Sequence, residues 1–419
     1  MISAREAALL TLNDIFYNGA YSNLAVKEML GKCRGMDKNE KAFFTGLVYG
    51  VVSRHFTLEY VISKYSSVKV KKLARYVKIL LEMGIYQLMF LDRVPESAAV
   101  NESVKLSKKY CKKGSDRFVN ALLRAFCKDG CELCFPDDLA VKHSFSPEMS
   151  AMFCEQFGNE FSEKLMSALN EAPDFLIRPN ILKTNAITLS GLLKENGIDN
   201  TVTEYGMIKA EGFDVSLSSL YRDGFFSVQD RGAYTASLVL DPKKGETVID
   251  MCAAPGGKTT HIAELMEDSG KVLAFDVHEH KISLIESTAK RLGIESIEAK
   301  IGDATVLQNN MVATADKVLC DVPCSGWGII RRKPDIKLSH TDLDQLYNIQ
   351  QKIIRNGAEY VKKGGCLVYS TCTVNKNENE KVISDFLKGN NDFEKVYEKT
   401  YYPHIDGCDG FFICRLNKK

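Results

Sequence analysis

From residue 236 to the last residue of the sequence, strand-like runs alternate with helical stretches. "ETVIDMCA", "KVLAFDV", "IEAKIGD", "DKVLCDV" and "GCLVYSTC" are separated by segments such as "KTTHIAELM", "HKISLIESTAKRLG" and "LYNIQQKIIRNGAEYVKKG". Few folds accept this pattern. Parallel strands need long crossovers, so short apolar runs joined by helix-length segments predict a doubly wound parallel α/β sheet. The final "DGFFICRLNKK" has no helix after it and is expected to add an antiparallel edge strand.

In such a sheet, ligands bind beyond the carboxyl ends of the strands, so the residues at those ends are the candidate site. The first strand ends in "DMCAAPGGKTT", where small residues and Gly256 and Gly257 let the backbone approach a ligand as a helix begins. Neither a G-x-x-x-x-G-K-[ST] nor a G-x-G-x-x-G motif is present. The second strand ends at Asp276, twenty residues past Gly256, the place of a ribose-binding carboxylate in dinucleotide sites. The third ends at Asp303, placed to meet a base edge. Glycine turn, Asp276 and Asp303 at successive strand ends together indicate an adenosine ligand. The fourth strand ends in Asp321, Val322, Pro323 and Cys324, and the fifth in Ser370, Thr371 and Cys372. Adjacent strands lie about 4.8 Å apart, so two thiols and a carboxylate converge beside the adenosine site.

The segment ahead of this sheet has a different character. Residues 1–130 carry apolar residues at helical spacing in "AREAALLTLNDIF", "KAFFTGLVYGVVSRHFTLEYVISKY", "RYVKILLEMGIYQLMFLD" and "DRFVNALLRAF", and almost no proline, which predicts an all-helical domain. They hold 22 Lys and Arg against 12 Asp and Glu, a net +10; because the whole chain carries +1, the rest carries −9. A basic domain fused to an acidic one predicts a polyanionic partner, nucleic acid first. Lys105, Lys108, Lys109, Lys112 and Lys113 form one stripe on a helix and are candidate phosphate contacts. "DGCELCFPDD" reads as a linker; its Cys131 and Cys134 have no second pair or His cluster to complete a zinc site, and no metal is expected. Residues 140–235 open with two helices and continue strand, helix, strand, a small α/β module. No signal peptide and no membrane span are legible, and thirteen cysteines, an odd number, suggest no disulfide framework; a cytoplasmic protein is expected.

"AAPGGKTT", "DVPCSGWGIIRRKPD", "YSTCTVNKNENE", "FSVQDRGA" and the terminal "DGFF" resemble the RNA cytosine-5 methyltransferases that use S-adenosylmethionine. The basic helical domain resembles the transcription factor NusB, and the combination resembles the bacterial RsmB (Sun, Fmu) family. That resemblance covers essentially the full chain. It implies a Rossmann-like class I methyltransferase domain over 236–419, a small RNA-facing module over 140–235 and a NusB-like RNA-binding domain over 1–130. The implied activity is methylation of one cytosine of 16S ribosomal RNA at carbon 5, the cytosine numbered 967, by a monomeric enzyme.

The resemblance also assigns roles. Cys372 is the nucleophile that adds to carbon 6, which makes carbon 5 enamine-like, and Cys324 assists product release. Asp321 can meet ring nitrogen 3 and the exocyclic amine and relieve the charge that develops there. Cys252, Ala253, Ala254, Pro255, Gly256, Gly257 and Lys258 form the cofactor loop, with Asp276, Asp303 and Asp321 completing the cofactor site. Arg178 and Asn180 in "IRPNILKTN" resemble an RNA-facing segment, and Arg331 and Arg332 are placed to hold substrate phosphates. Two other readings remain open: the same reaction on another RNA such as a tRNA, and a non-catalytic RNA-binding or antitermination factor.

Overall fold

The computed structural model describes residues 2–131 and 135–419. The chain divides into two compact units, Met1–Glu171 with Ile330–Ser339, and Ala172–Ile329 with His340–Lys419.

The first unit is helical: α1 (Ala4–Asn18), α2 (Ser22–Lys32), α3 (Lys38–Tyr65), α4 (Arg75–Phe90), α5 (Glu96–Tyr110), α6 (Ser115–Lys128), α7 (Leu139–His143), α8 (Pro147–Phe157) and α9 (Asn159–Ala168). Local chemistry sets several of the ends. Asp37 caps α3 and Glu40 reaches back to it, a capping box, while Gly19 closes α1 at φ +71°. Inside, Leu9, Leu12, Phe44, Leu47, Val51, Leu58, Leu80, Leu123 and Phe126 are fully buried and form one core. The helices over 139–168, read from sequence as the start of a middle module, belong to this unit.

The second unit begins with a small antiparallel sheet, β1 (Phe175–Pro179), β2 (Asn200–Val202), β3 (Ile208–Ala210) and β4 (Phe226–Val228), in the order β2-β3-β1-β4, with α10 (Ala186–Glu195) and the short α11 (Ser219–Arg222). The run "TVTEYGMIKAEG", expected as one strand, folds as the β2–β3 hairpin, because Gly206 turns the chain at φ +82°.

After α12 (Arg231–Leu240), the predicted alternation follows: β5 (Thr247–Asp250), α13 (Gly257–Leu265), β6 (Lys271–Asp276), α14 (Glu279–Leu292), β7 (Ile297–Ile301), β8 (Ala315–Asp321), α15 (Leu343–Tyr360), β9 (Val361–Thr371), α16 (Glu380–Lys388), β10 (Phe393–Tyr401), α17 (Pro403–Asp406) and β11 (Phe411–Lys418). The sheet order is β10-β11-β9-β8-β5-β6-β7, parallel from β9 to β7. The C-terminal strand is antiparallel, as expected, but it is not the edge. β11 lies between β9 and β10, and β10, "FEKVYEKTY", which the sequence reading passed over, is the outer strand. The burial explains the placement: Phe412 and Ile413 are fully buried and belong inside a sheet, whereas β10 carries Glu394, Lys395, Glu398 and Lys399 and is buried only at its ends, which suits an edge.

Candidate active site

Order reverses at β5, whose neighbours are β6 and β8, and the site opens beyond this switch point. A cavity of about 500 Å³ there is lined by Cys252, Ala254, Asp276, Asp303 and Asp321, which brings five of the expected cofactor residues together. His278, Lys281, Thr305 and the apolar pair Ile349 and Ile353 complete its wall. Sequence reading missed the last two, although their i, i+4 spacing on α15 puts them on one face. Lys281 reaches Asp276 at 3.5 Å.

The other residues of the glycine turn do not line the cavity, and Pro255 is exposed. Ala253 and Gly256 are buried, and Gly256 has φ +101° with a would-be Cβ 3.2 Å from Cα of Ile285. Its glycine serves the turn and the packing of α14. Asp276 accepts the backbone N–H of His278 at 3.1 Å. Asp303 accepts the N–H and hydroxyl of Thr305 at 2.8 and 2.7 Å, and the hydroxyl bond above all holds its carboxyl below the usual range. Asp250, a residue the sequence reading left out, is buried at the end of β5; burial pushes its pKa up to about 7 against the bond it accepts from Thr259.

Lys258 points elsewhere than the cavity wall. Its ammonium donates to Asp321 at 2.7 Å and lies 5.2 Å over the Phe411 ring. Burial opposes that charge, yet Asp321 outweighs it and raises the lysine pKa. The second oxygen of Asp321 accepts the hydroxyl of Ser370 at 2.8 Å, as expected of register partners on β8 and β9. Just past these strand ends, Sγ of Cys324 lies 3.3 Å from Sγ of Cys372, both as free thiols. The bond to Cys372 and then burial raise the Cys324 pKa well above its ordinary value.

Both thiol loops are tied down. Asn379 brackets Cys372, accepting from the Thr371 hydroxyl at 2.6 Å and donating to the Thr373 carbonyl at 3.0 Å. Gly328 donates to the Cys372 carbonyl at 3.0 Å and accepts from Gly410 at 2.9 Å, and a Cβ on Gly328 would sit 1.9 Å from the Gly410 oxygen. "GWG" and the terminal "DGFF" meet here for that reason.

The expected RNA contacts divide. Arg178 and Asn180 need correction: both are buried, with both terminal nitrogens of Arg178 and the side-chain amide of Asn180 bonded within the protein. Arg178 donates to Glu264 and to Gln229 and Gly257, each at 2.7 Å, and Asn180 donates to the carbonyls of Gly224 and Leu292. Arg178 braces the cofactor turn at Gly257, Asn180 ties its own segment to Gly224 and the end of α14, and both are turned inward. Lys105, Lys108, Lys109, Lys112 and Lys113 are exposed, but α5 stops at Tyr110, where Cys111 turns extended, so Lys112 and Lys113 lie in the following turn and not on the helix. Lys109 is paired with Glu6 and Lys105 with Glu102. Arg331 and Arg332 are half-buried in the segment that clusters with the first unit, and each makes contacts within the protein. Lys337 in that segment is buried, its ammonium bonded to the Ser53 carbonyl and Asn170. Cys134 lies outside the described residues. Among those described, His55, Glu59 and Glu82 cluster like metal ligands, with the Lys78 ammonium on Glu59.

An acid-rimmed cavity at the switch point of a doubly wound sheet suits a cationic nucleoside, and together with the thiol pair it defines an S-adenosylmethionine-dependent methyltransferase. A family model described as 16S rRNA methyltransferase RsmB/F matches residues 237–417, and one described as the NusB family matches residues 2–128. The chain belongs to the RsmB/F methyltransferase family. It is 35% identical, over all of its own length and 99% of the other, to the probable ribosomal RNA small subunit methyltransferase B of Bacillus subtilis (strain 168). It is 31% identical, over all of its length and 99% of the other, to the ribosomal RNA small subunit methyltransferase B of Klebsiella pneumoniae (strain 342). Among solved structures, that of PH0851 matches with TM-score 0.82 and 26% identity, covering 98% of each chain. A methyltransferase homolog protein from Pyrococcus horikoshii matches with TM-score 0.60 and 27% identity, covering 67% of this chain and 98% of that one. No described helix is long and apolar enough to cross a membrane.

Proposed function

We propose that the chain methylates carbon 5 of one cytosine of 16S ribosomal RNA, cytosine 967 by family resemblance, acting as a cytoplasmic monomer through a covalent adduct between Cys372 and carbon 6. The observation that carries this reading is the 3.3 Å approach of Cys324 and Cys372 beside the Lys258–Asp321 pair.

S-adenosylmethionine, when bound, supplies an electrophilic methyl group on a sulfonium. Carbon 5 of cytosine is too weak a nucleophile to take it unaided. The Cys372 thiolate bonds to carbon 6, while the Lys258–Asp321 pair meets ring nitrogen 3 and offers a proton against the charge that builds there. Carbon 5 would then take the methyl group as the bond to the sulfonium breaks and its electron pair returns to sulfur, which departs as a neutral thioether. A base removes the proton from carbon 5, the ring double bond re-forms, and Cys372 leaves carbon 6 with its electron pair. Cys324 keeps its proton at neutral pH because its pKa is raised, so it stands as a donor to the departing sulfur. The target base must leave its stack, at about a few kcal/mol, and the basic helical unit supplies binding energy for that.

The test is incubation of the protein and S-adenosylmethionine with 16S RNA and, separately, with tRNA, followed by sequencing for 5-methylcytosine. One modified cytosine in 16S RNA is expected. Modification of tRNA alone would move the activity to a different RNA.

A further inference from the structure

Glu378 has no place in the reaction described above, yet its side chain is 1% exposed and ties both thiol loops together. One carboxylate oxygen accepts the Ser325 backbone N–H at 2.8 Å and the Gln350 amide at 3.1 Å. The other accepts the Ser325 hydroxyl at 2.6 Å and the Asn375 amide at 3.0 Å. Ser325 directly follows Cys324, and Asn375 lies three residues after Cys372. The same Gln350 amide also donates to the carbonyl of Pro323, so the peptides on both sides of Cys324 are held from one point. The Ser325 and Thr373 hydroxyls lie 2.8 Å apart and close the link between the loops.

A buried carboxylate with four donors is well compensated, and removing its charge leaves those donors facing a weaker acceptor. Glu378 thus anchors the Pro-Cys-Ser turn at both Ser325 groups and the segment after Cys372 at Asn375, beside the direct Ser325–Thr373 link. We propose that Glu378 is a positioning residue for the covalent chemistry: its carboxylate sets Cys324 against Cys372 and keeps Cys324 in the role of donor. This rests on the roles proposed above for the two thiols. Glu378 also acts on Cys324 through its charge, adding to the pressure that keeps that thiol protonated. Replacing the carboxylate with an amide therefore loosens the turn and makes Cys324 more acidic.

The test uses Glu378→Gln and, because a buried charge can be needed for folding, Ser325→Ala, which removes one donor and leaves the carboxylate. Peptide-resolved alkylation by iodoacetamide, without RNA, reads each thiol. Cys324 in Glu378→Gln should react about tenfold faster than in the parent, equivalent to a pKa lower by about one unit, with a smaller gain in Ser325→Ala. With RNA and S-adenosylmethionine, Glu378→Gln should accumulate the protein–RNA adduct, while its affinity for S-adenosylmethionine by calorimetry stays within about twofold, since Glu378 does not line the cavity. Unchanged Cys324 alkylation in both variants would overturn the proposal, and if Glu378→Gln does not fold, Ser325→Ala decides alone. Faster alkylation in a protein that methylates no RNA would leave the positioning role standing and refute the reaction.

Discussion

Sγ of Cys324 and Sγ of Cys372 approach to 3.3 Å across the ends of β8 and β9. At that distance one thiol can donate to the other, and under the roles proposed above their substitutions should have opposite signatures.

Cys372→Ala should lower methylation by on the order of 10³-fold or more, as expected for loss of a nucleophile. Cys324→Ala should retain attack, fail at release and leave the protein joined to its RNA. A denaturing gel after incubation with RNA and S-adenosylmethionine reads both: a shifted band with Cys324→Ala alone. A band with Cys372→Ala would make Cys324 the nucleophile.

Asp250 gives a pH dependence of stability. Burial holds the Asp250 proton up to about pH 7 in the folded protein, whereas an ordinary Asp carboxyl loses it at 3.8, so between these limits the native state binds more protons than the unfolded chain. Stability from this group is present in acid and is lost as pH rises toward 7. Asp250→Asn keeps an oxygen for Thr259 and removes the titration. Its stability relative to the parent should therefore rise between about pH 4 and 7 in urea unfolding, and a difference flat with pH would refute the assignment.

Arg178→Met should destabilise the fold by about 3–5 kcal/mol, because it strands Glu264, which is fully buried. Thermal unfolding checks the loss. The salt dependence of RNA binding should be unchanged at a temperature where the variant is folded, which separates a bracing role from direct RNA contact.

Reversing Lys108, Lys112 and Lys113 to Glu should weaken RNA binding for every sequence alike. Each phosphate contact removed should flatten the slope of log affinity against log salt by about 0.7–0.9. Filter binding from low to moderate salt measures it. An unchanged slope would mean that these lysines are only solvated surface.

The alternation of apolar runs and helical stretches made the sheet legible, because period and length are local properties of the chain. The strand ends likewise pointed to Asp276, Asp303, Asp321, Cys324 and Cys372, since in a parallel sheet every strand must deliver its last residues to the same edge. Arg178 was misplaced for the converse reason. Its segment is assigned by resemblance, whereas its burial depends on Glu264 of α13, far along the chain.

Sequence by itself determined the class of fold, the residues at the ligand edge and the kinship of both halves, all of which follow from local pattern and residue identity. Only tertiary structure decided that β11 lies inside the sheet, that Lys258 serves Asp321, that the lysine stripe breaks at Tyr110 and that Glu378 joins the two thiol loops. Those outcomes depend on which distant groups burial brings together, and a buried charge or strand settles wherever its partners are.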